Sequence, residues 1–192
     1  MDEEFYSRYQ ELYNLLSRAY FDKCIIDVAK RYNVIVSKEK KALPLDSNRV
    51  FQHYCDIAKS DLALILWMIT DSKEKSNTLI TLKSYLYKSY NISIKMKFSK
   101  QSRKLINDAL SNIRNKALAH NDVNKSCEAI HIDDLFLLLN ESRLLLNEMC
   151  CSKKEKRIVP MTGEELLRIN LTAKKGLGTL LDNSYIDISG EK

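Results

Sequence analysis

From Glu3 to about Ile35 the apolar residues Phe5, Tyr9, Leu12, Leu16, Ala19 and Tyr20, then Cys24, Val28 and Tyr32, recur at three- and four-residue steps. That spacing is the stripe of an amphipathic helix, and it admits one long helix or two abutting ones. Such a stripe must be covered by other elements, and the chain has little with which to build anything but helices. Its 4 Gly and 2 Pro over 192 residues are too few for the corners of a sandwich, a barrel or a Gly-looped α/β fold. With 45% hydrophobic and 29% charged residues the chain can bury a core and lacks the signature of disorder. The expected fold is all-α, a bundle of five to six helices.

The segment Ser37 to Ser47 reads as a charged loop, with Asp46 or Ser47 as the N-cap of a helix from about Arg49 to Thr70. Its second half, LALILWMIT, is apolar nearly all the way round and so predicts a central helix buried on several sides. Ser76 or Asn77 can cap a shorter helix through Leu86, and Ser99 one that reaches Ala119 with Leu105, Ala109, Ile113 and Leu118 on its core face. In between, Ile92, Ile94 and Met96 alternate over too few residues for a sheet. A leucine-dense helix follows from about Asp133 to Met149, and Thr162 with Glu165 forms a capping-box pattern for a last helix that Gly176 and Gly178 interrupt or end. The expected core includes Leu64, Leu66, Trp67, Leu105, Ile113, Leu137 and Leu144, and the expected division is residues 1–152 as the helical domain and 153–192 as a C-terminal helical extension and tail.

Five cysteines, Cys24, Cys55, Cys127, Cys150 and Cys151, form no CxxC pair and stand near no His at zinc-ligand spacing, so they read as free thiols of a reducing compartment. The acidic, polar start MDEEFYSRYQ is unlike a signal peptide, and the longest apolar runs fall far short of a bilayer span. A cytoplasmic protein without membrane contact is expected. No nucleotide-binding glycine loop, nucleophile elbow or HExxH is present, no metal-ligand cluster can be picked out, and no cofactor is expected.

Chemistry concentrates at Arg114, Asn115, Lys116, Ala117, Leu118, Ala119, His120, Asn121 and Asp122, where a predicted helix becomes loop. A guanidinium holds a phosphate in a two-pronged fork, and an imidazole exchanges a proton near neutrality. Arg114, His120 and the amides of Asn115 or Asn121 therefore make up a metal-free ribonuclease toolkit. On a continuous helix Arg114 and His120 would stand about 120° apart and roughly 9 Å along the axis. Either the helix unwinds before His120, or two copies of the motif face each other across a two-fold axis. Asn107, Ser111, Arg114 and Asn121 form a polar stripe on the same helix, readable as solvated surface or as the lining of an interfacial groove. His53 and His131 read as surface or helix-start residues. Basic runs at Lys38 to Lys41, Lys95 to Lys104 and Lys153 to Arg157 are consistent with a net charge of +6 and with RNA, as either solvated faces or a phosphate-tracking surface.

The run RNKALAH from Arg114 to His120 resembles the signature of the HEPN superfamily of prokaryotic toxins and defence ribonucleases. The continuation His120, Asn121, Asp122, with the upstream LALILWMITDSKEKSNTLITL, resembles more narrowly its abortive-infection U-type branch, and the similarity spans roughly Tyr6 to Glu148. The resemblance implies a helical bundle that dimerises through its motif helices and cleaves RNA without metal. By position, Arg114 would contact and polarise the phosphate, Asn115 would support the site and His120 would transfer the proton. Asn121 and Asp122 match the branch pattern as supporting residues. RNA, a second copy of the chain and a cognate antitoxin protein are the partners implied. Two other readings stay open: a HEPN-like module that binds nucleotide or protein without catalysis, and a helical adaptor in which RNKALAH is a helix terminus.

Overall fold

A computed structural model describes residues 2–39, 45–72, 76–112, 130–154 and 157–181. These residues form six helices and no strand, the all-α bundle that the periodicity predicts. None of the helices among them is long and apolar enough to cross a membrane.

The first stripe is one continuous helix, α1, over Glu3–Glu39. Asp2 caps it by accepting the Phe5 amide at 3.0 Å, and Glu3 and Glu4 face the positive end of the helix dipole. Every stripe residue from Phe5 to Val28 is buried, with Phe5, Leu12, Leu16 and Ala19 at 0% exposure. Helix α2, Leu45–Thr70, starts earlier than expected, so Asp46 and Ser47 lie inside it rather than capping it. Arg18 pairs with Asp61 while Asn77, just beyond α2, donates to the Arg8 carbonyl, so α2 runs antiparallel to α1. Its Leu62, Ala63, Ile65, Leu66 and Ile69 are fully buried, while Leu64 and Trp67 are only half-buried.

Helix α3, Leu79–Tyr90, is capped by Thr78 rather than Ser76 or Asn77. Thr78 accepts the Thr81 amide at 3.2 Å and its own amide donates to the Thr81 hydroxyl at 2.9 Å, so a threonine takes the usual Glu position of the capping box. Asn77 is spent on α1, where its amide also reaches Glu11 at 2.8 Å. Asn91 ends α3 in the left-handed conformation at φ 54°, a role its short amide side chain tolerates.

The segment after Asn91 pairs with no strand because its backbone donors go to side chains of the leucine-rich helix α5, Ile132–Lys153. Glu148 accepts the amides of Lys95 and Met96 at 3.0 and 3.1 Å, and Glu141 that of Ser99 at 3.1 Å. Helix α5 is antiparallel to α1: Lys30 meets Asp133, and Arg143 donates to the Tyr20 hydroxyl at 3.1 Å. Its Leu138, Leu139, Leu146 and Met149 fill the core, Leu137 is half-buried, and Leu144, expected inside, is 40% exposed on the opposite face.

Helix α6 covers Gly163–Leu181 and packs on α1, burying Ile169 and Ala173. Thr162 accepts the Glu165 amide at 3.4 Å, but the Glu165 carboxylate turns to Arg168 instead of reaching back. Gly176 does not interrupt the helix. The linker before α6 is tied down by Asn147, whose amide accepts the Met161 N–H at 2.9 Å and donates to the Met161 carbonyl at 3.1 Å. The Tyr9 hydroxyl donates to the Val159 carbonyl at 3.1 Å. Ile158, Met161 and Ile169 thereby join the same buried cluster as α1, α2 and α5.

Candidate functional site

Arg114, Asn115, His120, Asn121 and Asp122 lie outside the described residues, as do Ile113, Leu118 and Cys127. The chain that leads directly into them is described as far as Asn112, and it departs from a plain α-helix. Ser99 caps α4, Lys100–Lys104, by accepting the Ser102 amide at 3.1 Å, as the sequence predicts. The helix then winds without a break into a π-helical stretch, Leu105–Leu110.

This winding shows in the packing. Five residues apart on an α-helix, Leu105 and Leu110 would point about 140° away from each other. Both are nonetheless buried, at 8% and 0% exposure, while Ala109, expected on the core face, is only half-buried. The wider π turn brings residue i+5 back toward the face of residue i, so the core register slips by one residue. Single π turns inside α-helices are frequent at functional sites. Here the slip occurs four residues before Arg114 in the sequence. Asn107 and Asp108 are exposed, and Ser111 is half-buried with its hydroxyl donating to the Asn107 carbonyl. Ser111 is thus bonded back to its own helix.

Lys95, Lys97, Lys100, Arg103 and Lys104 are all exposed on this helix and the segment before it, and no described carboxylate pairs with them. The basic run Lys153 to Arg157 is used differently: Lys153 lies 3.2 Å from the Tyr90 ring centre and 3.7 Å from Asp2, and Arg157 lies over the Tyr6 ring and pairs with Glu3.

An open groove of about 320 Å³ runs between this helix and the start of α5. Leu105, Ala109 and Ile130 form its floor, and Lys104, Asp108 and His131 its rim. Gln101 donates across it to Asp134 at 2.5 Å. His131 stands at the N-cap of α5 without capping it and lies 3.6 Å from Asp133. Sequence reading places His131 at a helix start but misses its proximity to Lys104, because the two residues are separated by the whole motif segment and no spacing rule joins them. Among the described residues no cluster of His, Cys, Asp and Glu is placed to hold a metal ion. In comparisons with protein-family models, curated proteins and solved structures, nothing matches this chain.

Proposed function

We propose that this chain is a metal-independent endoribonuclease of HEPN type, a toxin or phage-defence effector that works as a homodimer in the cytoplasm. The observation that carries the reading is the run Arg114 to His120, which follows a helix that, with the segment before it, carries exposed cations from Lys95 to Lys104 and so offers a path for phosphates. The 2′ hydroxyl of the substrate attacks the adjacent phosphorus, forming the O2′–P bond and breaking the P–O5′ bond. His120 takes the hydroxyl proton or returns one to the leaving oxygen, and Arg114 stabilises the charge that builds on the phosphate. Asn115 supports that arrangement, with Asn121 and Asp122 beside it. A cognate antitoxin protein would restrain the activity.

The test is cleavage of a labelled RNA, with product ends analysed. A 2′,3′-cyclic phosphate, resistance of 2′-deoxy substrates and indifference to EDTA are expected. Loss of Arg114 as a charge-stabilising donor costs about 3–4 kcal/mol of barrier, and loss of His120 roughly 10²- to 10⁴-fold in rate. Cleavage by His120→Ala at the wild-type rate would leave the alternative, a HEPN-like nucleotide- or protein-binding module without catalysis.

A further inference from the structure

A second groove, of about 420 Å³, lies far from the motif in the sequence, between α1, the end of α2 and α3. One face of α3 builds it. Ile80, Ser84 and Lys88 are spaced i, i+4, i+8, and Thr81, Tyr85 and Lys88 i, i+4, i+7, so both rows lie along one side of the helix over about 12 Å. Arg8 of α1 closes the groove, its guanidinium 5.1 Å from the centre of the Tyr85 ring. Ser72 adds a hydroxyl from beyond α2.

Among the described residues the lining carries two cations and no carboxylate, unlike the groove beside α4, where Asp108 and Asp134 offset Lys104. Arg8 is fixed from two sides. Glu4 accepts one of its N–H groups at 2.7 Å, and the Tyr85 ring beneath it is itself anchored through its hydroxyl to Asp2 at 3.0 Å. The remaining guanidinium donors have no described partner. A fixed fork, a mobile ammonium and neighbouring hydroxyls match the several oxygens of a phosphate better than a single carboxylate. Ile80, 40% exposed, and the Tyr85 ring supply apolar surface for whatever the phosphate is attached to. The volume is within the range of small-molecule sites.

We propose that this groove binds a nucleoside phosphate, with Arg8 and Lys88 on the phosphate and Ile80 and Tyr85 against the nucleoside. The site is distant from the Arg114 segment in the sequence and does not depend on cleavage. The test is amide chemical-shift titration of the full chain with adenosine monophosphate, adenosine, and a 2′-O-methyl RNA hexamer with or without a 5′-phosphate. Shifts at Ser72, Ile80, Ser84 and Lys88 are expected with a phosphorylated probe and not with adenosine. A response to the monophosphate identifies free nucleotide as the ligand, and a response to the 5′-phosphorylated hexamer alone identifies an RNA end. Lys88→Ala, an exposed change, and Arg8→Gln are each expected to weaken binding about tenfold without lowering the melting temperature. Should Arg8→Gln disturb the fold, Lys88→Ala decides alone. Absence of shifts at these amides with every probe at 10 mM, equal binding of adenosine, or full binding by Lys88→Ala overturns the proposal.

Discussion

The buried carboxyl of Asp22 on α1 lies against the Asp61 carboxylate on α2, and Asp61 in turn holds the Arg18 guanidinium through hydrogen bonds of 2.7 and 2.8 Å. Asp22 is 7% exposed. Burial first, and then the charge of Asp61, pushes its pKa up to about 8, against a smaller opposing pull from Arg18. At neutral pH the folded chain keeps a proton on Asp22 that the unfolded chain has released. The folded state therefore binds more protons, and stability falls as pH rises from the ordinary carboxylate range toward the folded value. Asp22→Asn removes that penalty. It is expected to leave stability at pH 4 nearly unchanged and to raise it by about 1–3 kcal/mol at pH 8, the equivalent of one to two pKa units. Urea unfolding across pH 4 to 9 measures this, and parallel profiles for the two proteins would contradict it.

Asn147 makes two of the three described hydrogen bonds of the Met161 backbone, at 2.9 and 3.1 Å, and Arg143 donates to the same carbonyl at 3.2 Å. Asn147→Ala strands the buried Met161 N–H and leaves the carbonyl to Arg143 alone, a loss expected to cost about 1–3 kcal/mol. Hydrogen exchange should show the effect concentrated in the Ile158 to Met161 linker and α6. A loss of protection spread evenly over α1 and α2 would mean that the linker is not what Asn147 holds.

Gly176 lies inside α6, and a Cβ built there meets nothing within 4 Å. Gly176→Ala should therefore stabilise the chain by about 0.5–1 kcal/mol, through helix propensity and a less flexible unfolded state. A fall in melting temperature would show that the site is crowded.

Leu66→Ala is expected to cost about 2–5 kcal/mol, because Leu66 is fully enclosed between helices, whereas Leu144→Ala should change stability by no more than about 0.5 kcal/mol. Equal costs for the two would contradict the placement of Leu144.

That pair also shows how far the fold is legible in the chain. The α1 stripe reads correctly from Phe5 to Val28 because one face of one helix carries it. In α5 the run LLLNESRLLL puts leucine on too many faces for periodicity to choose, and packing against α1 selects Leu145 and Leu146 over Leu144. Caps are legible where a hydroxyl has no rival task, as at Ser99, and misplaced where a tertiary contact competes, as at Asn77. The carboxylates of Glu141 and Glu148 that occupy the Lys95 to Ser99 backbone come from more than 40 residues away, beyond any local pattern. The Arg114 to His120 run stands out in the sequence by its residue types, but the register that leads toward it does not, because a π turn has no sequence signal at 3.6-residue spacing.

That register gives the last test. Each turn of the π stretch Leu105–Leu110 holds more residues than an α turn, and Arg114 follows it by four residues in the sequence. Deleting exposed Asn107 should let the stretch relax to an α-helix in which Leu105 and Leu110 stand four residues apart, so both stay on the core face and the phase beyond them is kept. Inserting an alanine after Asn107 instead adds a residue with no turn to absorb it, and the helix beyond would be rotated by about 100° relative to the bundle. For both proteins far-ultraviolet circular dichroism should stay that of the wild type, with a modest fall in melting temperature. Under the ribonuclease reading, the deletion should preserve RNA cleavage, and the insertion should lower it by the roughly 10²-fold that misplacement of a catalytic group by about 1 Å can cause. If the insertion protein cleaves RNA at the wild-type rate, the helix phase does not position Arg114; if the deletion protein is equally impaired, the length of the stretch and not its register is responsible.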